Sequence, residues 1–123
     1  MRINPSERFQ EMPCSYVSTA TAYENLTGLP FVGPMPEGLH NDGYLPLYEM
    51  NQYFREWLPI KRKIYYNKKR RMTLKQYLER QDKPCLICVL GHCVYAINGD
   101  YVSFFDNDND LVVCVWELNN TKE

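Results

Sequence analysis

The sequence predicts an α+β fold in which helices precede an antiparallel β-sheet. In the first half of the chain, small and apolar residues recur at helical spacing in two separate stretches. The last third instead contains short apolar runs divided by turns, and Asn98-Gly99 between two of these runs is the strongest short-range signal of a β-hairpin. We therefore expect one domain over residues 1–123, with helices over about 14–80 and the sheet over about 84–118.

The first predicted helix begins at Cys14 and ends at Gly28, a residue type typical of a C-terminal cap, with Pro30 just beyond it. Residues 1–13 contain two prolines and are predicted to be irregular. The positive end of the helix dipole and the free backbone N–H groups of the first turn favour an anion. A cysteine at the N-terminus of the helix is therefore expected to have a lowered thiol pKa.

The order of the remaining elements follows from their spacing and end signals. Pro59 ends a stretch with apolar residues at helical spacing. Thr73 and Gln76 have the spacing of a capping box. The predicted elements are a Gly/Pro-rich loop over 30–44, a second helix over 46–58, a short strand over 60–66, a third helix over about 73–80 and a final strand over 111–118.

Composition and charge exclude several classes of protein. Apolar residues make up 45% and charged residues 24% of the 123 positions, as in ordinary globular domains. A net charge of −1 gives no overall preference for nucleic acid or an anionic membrane, and no apolar run approaches the roughly 20 residues of a membrane helix. The N-terminus lacks the apolar core of a signal peptide, and the number of cysteines is odd. We therefore expect reduced thiols and a cytoplasmic location.

A histidine occupies the start of a predicted strand. Gly91-His92 follows the apolar run 84–90, and the partner strand of the next hairpin ends at Asp106-Asn107. His92 and a carboxylate or amide can therefore lie side by side, with either Asp106 or Asn107 as the orienting group. A histidine held in this way is half of a nucleophilic catalytic unit, and Cys14 would supply the nucleophile.

This order of residues resembles that of papain-like cysteine peptidases, especially the minimal bacterial and phage forms similar to the bacteriocin-processing (C39-like) peptidases. Gln10 precedes Cys14 by four residues, as a glutamine precedes the nucleophile in those enzymes. Gly91-His92 opens a late strand, and Asp106 follows His92 fourteen positions later. The resemblance extends over nearly the whole chain and implies a papain-like fold.

The resemblance also implies a function, that of a thiol hydrolase and most specifically a cysteine peptidase that needs no cofactor. Cys14 would be the nucleophile and His92 the general base. Asp106, or alternatively Asn107, would orient the imidazole, and Gln10 would donate a hydrogen bond to the oxyanion. The substrate would be a peptide or protein, and a phage-encoded form would act in the host cytoplasm or the virion. His40 lies in the Gly/Pro-rich loop and is expected to be exposed, without a catalytic role.

Two patterns look superficially like metal sites. Cys85 and Cys88, with His92 and Cys93 nearby, have a spacing seen in zinc sites, but positions i and i+3 of a strand face opposite sides. The alternating acidic residues 106–110, with Glu117, resemble a calcium-binding loop. However, Leu111 takes the place of the required glycine and a strand follows. We predict no metal site.

A basic segment supports a second hypothesis, a catalytically inactive papain-like binding module, which could also be a phage accessory protein. Basic and aromatic residues alternate here and could follow a phosphate backbone while bases stack on tyrosine. The residues are Lys61, Arg62, Lys63, Tyr65, Tyr66 and the basic run 68–71. The partner would be another protein or a nucleic acid, although the net charge of −1 disfavours nucleic acid. The alternative is a solvated charged surface.

Overall fold

A computed structural model describes residues 1–36 and 46–119 and has an α+β architecture, as predicted. The described residues form three α-helices and one six-stranded β-sheet. The helices are α1 (Cys14–Thr27), α2 (Leu47–Trp57) and α3 (Leu74–Leu78). The strands are β1 (Arg2–Ile3), β2 (Ile60–Tyr65), β3 (Cys85–Val89), β4 (His92–Ile97), β5 (Asp100–Val102) and β6 (Val112–Leu118).

The strand order across the sheet is β1-β5-β4-β3-β6-β2. Neighbouring strands from β5 to β2 are antiparallel, as predicted, whereas β1 joins the edge at β5 in parallel. The prediction that residues 1–13 are irregular is therefore wrong for Arg2–Ile3, because a two-residue strand is too short to show a periodic pattern. It is also wrong for Glu7–Phe9, which forms a short 3₁₀ helix with Phe9 buried.

The sheet is covered on both faces. On one face, α1 and α2 pack against Tyr95 and Trp116, and the ring of Phe54 meets that of Trp116 edge-on at 4.8 Å. On the other face, α3 packs against a second cluster that includes Val94. Alternation along β4 therefore directs Cys93 toward α1, with its neighbour Val94 on the opposite face. This arrangement places the N-terminus of α1 over the start of β4.

Several local signals have the predicted result. Gly28 adopts the left-handed conformation (φ 74°) and caps α1. Asn98 and Gly99 have positive φ values of 57° and 80°, as the tight turn between β4 and β5 requires. The Thr73 hydroxyl accepts the backbone N–H of Gln76, and the Gln76 side chain accepts the backbone N–H of Thr73, which completes a capping box, so α3 begins where the sequence predicts.

Other boundaries differ. The third helix ends at Leu78 rather than near 80, and β5 ends at Val102 although the apolar run continues to Phe105. The chain turns at Ser103, whose hydroxyl accepts a hydrogen bond from the backbone N–H of Phe105 at 3.1 Å.

His40 lies outside the described residues. Among the helices of the described ranges, none has the length and apolar character needed to cross a membrane.

Candidate active site

Cys14 is the first residue of α1 and is half-buried, with its sulfur beside two side chains of β4. The Cys93 thiol donates a hydrogen bond to the Cys14 sulfur, and the two Sγ atoms are 3.3 Å apart. The ring of His92 also hydrogen-bonds to the Cys14 side chain. The structure thus brings Cys14 and His92 together, as the sequence predicts.

These contacts lower the pKa of the Cys14 thiol to about 4. The hydrogen bond from Cys93 is the largest cause, and burial opposes it by penalising the thiolate. The hydrogen bond and positive charge of His92 lower the pKa further. Cys14 is therefore a thiolate at neutral pH, the form in which a cysteine acts as a nucleophile.

His92 is held on two sides at the start of β4. Its ring lies edge-on against the ring of Phe105, with centroids 5.6 Å apart and an interplanar angle of 88°. Its Nε2 atom lies 3.3 Å from the hydroxyl oxygen of Ser103. The other ring nitrogen, Nδ1, is then the one left for the Cys14 sulfur. Gly91, just before the histidine, has a φ of 78° and allows the sharp turn from β3.

A chain of hydrogen bonds fixes which of these groups donate. The Asn107 side-chain N–H donates to an Asp110 carboxylate oxygen at 2.7 Å, so the amide oxygen of Asn107 faces Ser103. That oxygen can only accept, so the Ser103 hydroxyl donates its one hydrogen to Asn107, at 2.7 Å. Toward His92 the hydroxyl oxygen must therefore accept, and Nε2 carries the proton. Nδ1 is therefore the ring nitrogen that can exchange a proton with Cys14.

Asp106 does not occupy the position predicted for it. Its carboxylate oxygen contacts the Tyr101 hydroxyl at 3.4 Å and accepts the backbone N–H of Asp108 at 3.0 Å, while Ser103 lies beside the His92 ring nitrogen. The prediction assumed that the hairpin strand continues to Phe105. Because β5 ends at Val102, the chain bends away and directs Asp106 toward Tyr101.

The alternative orienting residue, Asn107, lies closer to the site. It is buried, and it reaches His92 through the Ser103 hydroxyl rather than directly. Its backbone N–H donates to the Tyr101 hydroxyl at 3.0 Å. Backbone carbonyls of the same loop, at Asp108 and Asp110, accept the first N–H groups of α3. The loop is thereby fixed between the sheet and α3.

Gln10 lies on the wall of the same groove as Cys14. The chain turns between them at Glu11, whose positive φ of 65° is uncommon for a residue with a side chain and is often found at functional sites. The N-terminus of α1 provides backbone N–H groups without an acceptor inside the helix. Gln10 and the N-terminus of α1 therefore border the same groove. The oxyanion role of Gln10 stays a prediction.

The groove has a volume of about 1030 Å³ and contains Cys14 and His92 in its lining. Most of the remaining lining is apolar. It includes Met12, Leu47, Met50, Val89, Leu90, Phe104 and Phe105. Leu90 and Phe105 are largely exposed at its rim, at 57% and 63%. The reactive pair therefore faces an open cleft that could accommodate an extended chain with apolar side chains.

The other cysteines differ from Cys14 in acidity. Burial raises the pKa of Cys85 and Cys88 to about 12 and that of Cys114 to about 11. Burial also raises the pKa of Cys93, and the Cys14 thiolate beside it adds to the shift. Cys14 is thus the acidic thiol among the five.

The two metal-like patterns do not assemble. Cys85 packs on the α3 face of the sheet and Cys88 on the α1 face, as strand alternation predicts. In the acidic segment 106–110, the Asp108 carboxylate accepts a hydrogen bond from the Tyr101 hydroxyl. The Asp110 carboxylate accepts one from the Asn107 side-chain N–H. Across residues 1–36 and 46–119, no three His, Cys, Asp or Glu side chains are grouped so that they could hold a metal ion.

The basic segment lies on β2, at the edge of the sheet, and on the turn after it. The side chains of Lys61, Arg62 and Lys63 are exposed, and Arg62 forms an ion pair with Glu117. Tyr65 is 57% exposed and has the Arg71 guanidinium over its ring. Tyr66 instead packs edge-on against the ring of Tyr77, which reduces its availability for stacking with a base.

Two residues of the site are absent from the sequence-based prediction of its catalytic groups. Cys93 follows His92 directly, and the alternation of β4 could have identified it as the residue that faces α1. Ser103 has a weaker signal, since its position depends on where β5 ends.

In comparisons with family models, with curated proteins and with solved structures, no match to this chain was found.

Proposed function

We propose that the protein is a thiol hydrolase with a papain-like fold, most specifically a cysteine peptidase that cleaves a peptide or amide bond. The observation that carries the proposal is the Cys14 thiolate, which lies at the start of α1, is paired with His92 and opens into a groove. The order of Cys14 on an early helix and His92 on a late strand also supports it.

The reaction would begin with attack of the Cys14 thiolate on the carbonyl carbon of the substrate. A sulfur–carbon bond forms, and the carbon–nitrogen bond breaks as the departing amine takes a proton from His92. A water molecule then attacks the acyl-enzyme and gives a proton to His92. The sulfur–carbon bond breaks, which releases the acid and restores the thiolate-imidazolium pair.

The surrounding groups have roles that suit this sequence of steps. The backbone N–H of Cys14 and the side-chain amide of Gln10 would donate to the oxyanion of the tetrahedral intermediate. Ser103, held by Asn107, would keep the proton on Nε2 of His92 so that Nδ1 exchanges protons with substrate and water. The free thiols suit a reducing compartment such as a cytoplasm, including that of a phage host.

The test uses the purified full chain and a mixture of peptides from digested casein, with new termini mapped by mass spectrometry. We expect cleavage by the wild type and its loss in Cys14→Ala and His92→Ala. Cys85→Ala is the matched control, because it removes a buried thiol from the opposite face of the sheet. Circular dichroism checks that each variant is folded. Cleavage that persists in Cys14→Ala would overturn the proposal.

A second candidate is a binding module whose catalytic site is inactive. The supporting observation is the exposed run Lys61, Arg62 and Lys63 on the edge strand β2. A protein or nucleic acid with an acidic surface could pair with this edge, and such a role would suit a phage accessory protein. This candidate gains support if the wild type cleaves no peptide although Cys14 reacts with a small electrophile.

A further inference from the structure

Four cysteines form a row across the α1 face of the molecule. Cys88 on β3 is directly opposite Cys114 on β6 and Cys93 on β4. Cys93 in turn contacts Cys14 on α1, and all four side chains belong to the same packed cluster. At 3.3 Å, the Sγ atoms of Cys93 and Cys14 are in direct contact.

We propose that Cys14 is a site of oxidative modification, at which a hydroperoxide forms a sulfenic acid that Cys93 converts into a reversible intramolecular disulfide. This inference goes beyond the proposed hydrolase. It requires the Cys14–Cys93 contact and a reactive Cys14, but it does not require peptide cleavage.

The geometry favours this pairing. A disulfide has a sulfur–sulfur distance of about 2.05 Å, so the two sulfurs need to approach by only a little over 1 Å. Cys14 lines the open groove, where a small peroxide can reach it. Cys93 is 1% exposed, so peroxide and thiols in solution have little access to its own sulfur. The resolving thiol is therefore already in contact with the oxidised sulfur, inside the protein.

The two thiols are oxidised in two steps. In the first, the Cys14 thiolate attacks a peroxide oxygen. A sulfur–oxygen bond forms, the oxygen–oxygen bond breaks and the departing alkoxide or hydroxide takes a proton from solvent. In the second, the Cys93 sulfur attacks the Cys14 sulfur. The sulfur–oxygen bond breaks and the leaving hydroxide takes the Cys93 proton to form water. The two thiols lose two electrons, and the hydroperoxide is reduced to an alcohol, or to water, with one further water.

This modification would act as a switch on the site. The disulfide removes the Cys14 nucleophile and keeps its sulfur from irreversible oxidation to the sulfinic acid. It would also withdraw the hydrogen bond that Cys93 donates, so the oxidised protein would contain no activated thiolate in the groove. A dithiol reductant would restore both groups.

The test treats the full chain with hydrogen peroxide, blocks the remaining thiols with iodoacetamide and maps peptides without reduction. We expect a cross-linked Cys14–Cys93 peptide pair, with a mass about 2 Da below the sum of the two free peptides because two hydrogens are lost. Dithiothreitol should separate the pair. In Cys93→Ala, the sulfenic acid should persist and be trapped by dimedone at Cys14. In Cys88→Ala, which removes the other thiol beside Cys93, the cross-link should still form.

Some outcomes would overturn the proposal. One is wild-type protein in which peroxide gives dimedone-trapped or sulfinic Cys14 but no cross-link to Cys93. Another is a cross-link between Cys88 and Cys93 in its place. The wild-type map does not depend on how well a variant folds. A cross-link without peptide cleavage would contradict only the hydrolase proposal, whereas cleavage without a cross-link would contradict only this inference.

Discussion

The hydroxyl oxygen of Ser103 lies 3.3 Å from Nε2 of His92 and 2.7 Å from the amide oxygen of Asn107. Because Asn107 can only accept at that oxygen, the hydroxyl cannot donate to the histidine. A neutral side chain thus sets the position of the imidazole proton. The Ser103 hydroxyl is buried, so water does not compete for this bond.

Replacement of Ser103 by alanine should slow peptide cleavage by about tenfold, the equivalent of one hydrogen bond of about 1.4 kcal/mol. The variant should also alter the pH dependence of alkylation, a change that a purely structural role for Ser103 would not produce. Asp106→Asn is the control, because that exposed residue contacts Tyr101 rather than His92. A larger effect of Asp106→Asn than of Ser103→Ala would contradict the assignment.

Asn107→Ala should lower the free energy of unfolding by roughly 2–3 kcal/mol, since it removes two side-chain hydrogen bonds and leaves the buried Ser103 hydroxyl without that acceptor. Chemical denaturation monitored by circular dichroism measures the change. Asn109→Ala removes an exposed amide two residues away and should change stability by less than about 0.5 kcal/mol. Equal effects of the two substitutions would show that Asn107 does not hold the loop.

At pH 6, iodoacetamide should label Cys14 in preference to the other four cysteines. Its pKa of about 4 keeps it a thiolate, while burial raises the pKa values of the others. Because the Cys14 pKa is lowered to about 4, the labelling rate should stay constant above about pH 5. It should fall as the pH drops through about 4 and the thiolate is protonated. Peptide mapping by mass spectrometry at each pH measures the rates.

Two variants separate the causes of this acidity. Cys93→Ala removes the largest single cause and His92→Ala removes two smaller ones, so each variant should move the midpoint of Cys14 labelling to higher pH. The effect of His92→Ala should be incomplete, because the Cys93 hydrogen bond and the helix N-terminus remain. If both variants keep the wild-type midpoint, neither neighbour activates the thiol.

Binding of nucleic acid by the basic segment should be weak and should fall steeply as salt rises, because phosphate contacts release counterions. Filter binding of single- and double-stranded DNA and RNA at several salt concentrations measures it. Lys61→Glu with Lys63→Glu should abolish any retention, while Lys83→Glu, an exposed basic residue elsewhere on the chain, should not. Retention that is insensitive to salt would show that phosphate contacts at β2 are not its cause.

The sequence signals that succeed are those that depend on a few adjacent residues. Gly28 ends α1, Asn98-Gly99 forms the hairpin turn, and Thr73 begins α3. Each works because the backbone conformation is decided within about four residues. The expectation that Cys14 approaches His92 has a different source, the resemblance of their order in the chain to that of papain-like cysteine peptidases.

The parts that the sequence does not predict depend on distances set by packing. Whether Asp106 or Ser103 meets His92 is decided by the residue at which β5 ends, and the apolar run to Phe105 hides that point. The Cys93 hydrogen bond exists because α1 lies close enough to β4 for two sulfurs to touch. Neither quantity is encoded in a local pattern.

The contact between Cys14 and Cys93 joins residues that are 79 positions apart in the chain. During synthesis, Cys14 emerges long before the strand that lowers its pKa, and until β4 is paired and docked Cys14 is an ordinary thiol with a pKa of about 8.5. Contacts of such separation form late in folding, because the loop between them must be closed first. Reactivity at acidic pH therefore appears only with the completed tertiary structure. In a nascent or misfolded chain, Cys14 would therefore not be a thiolate at acidic pH. The rate at which Cys14 is labelled at acidic pH could thus measure the folded fraction.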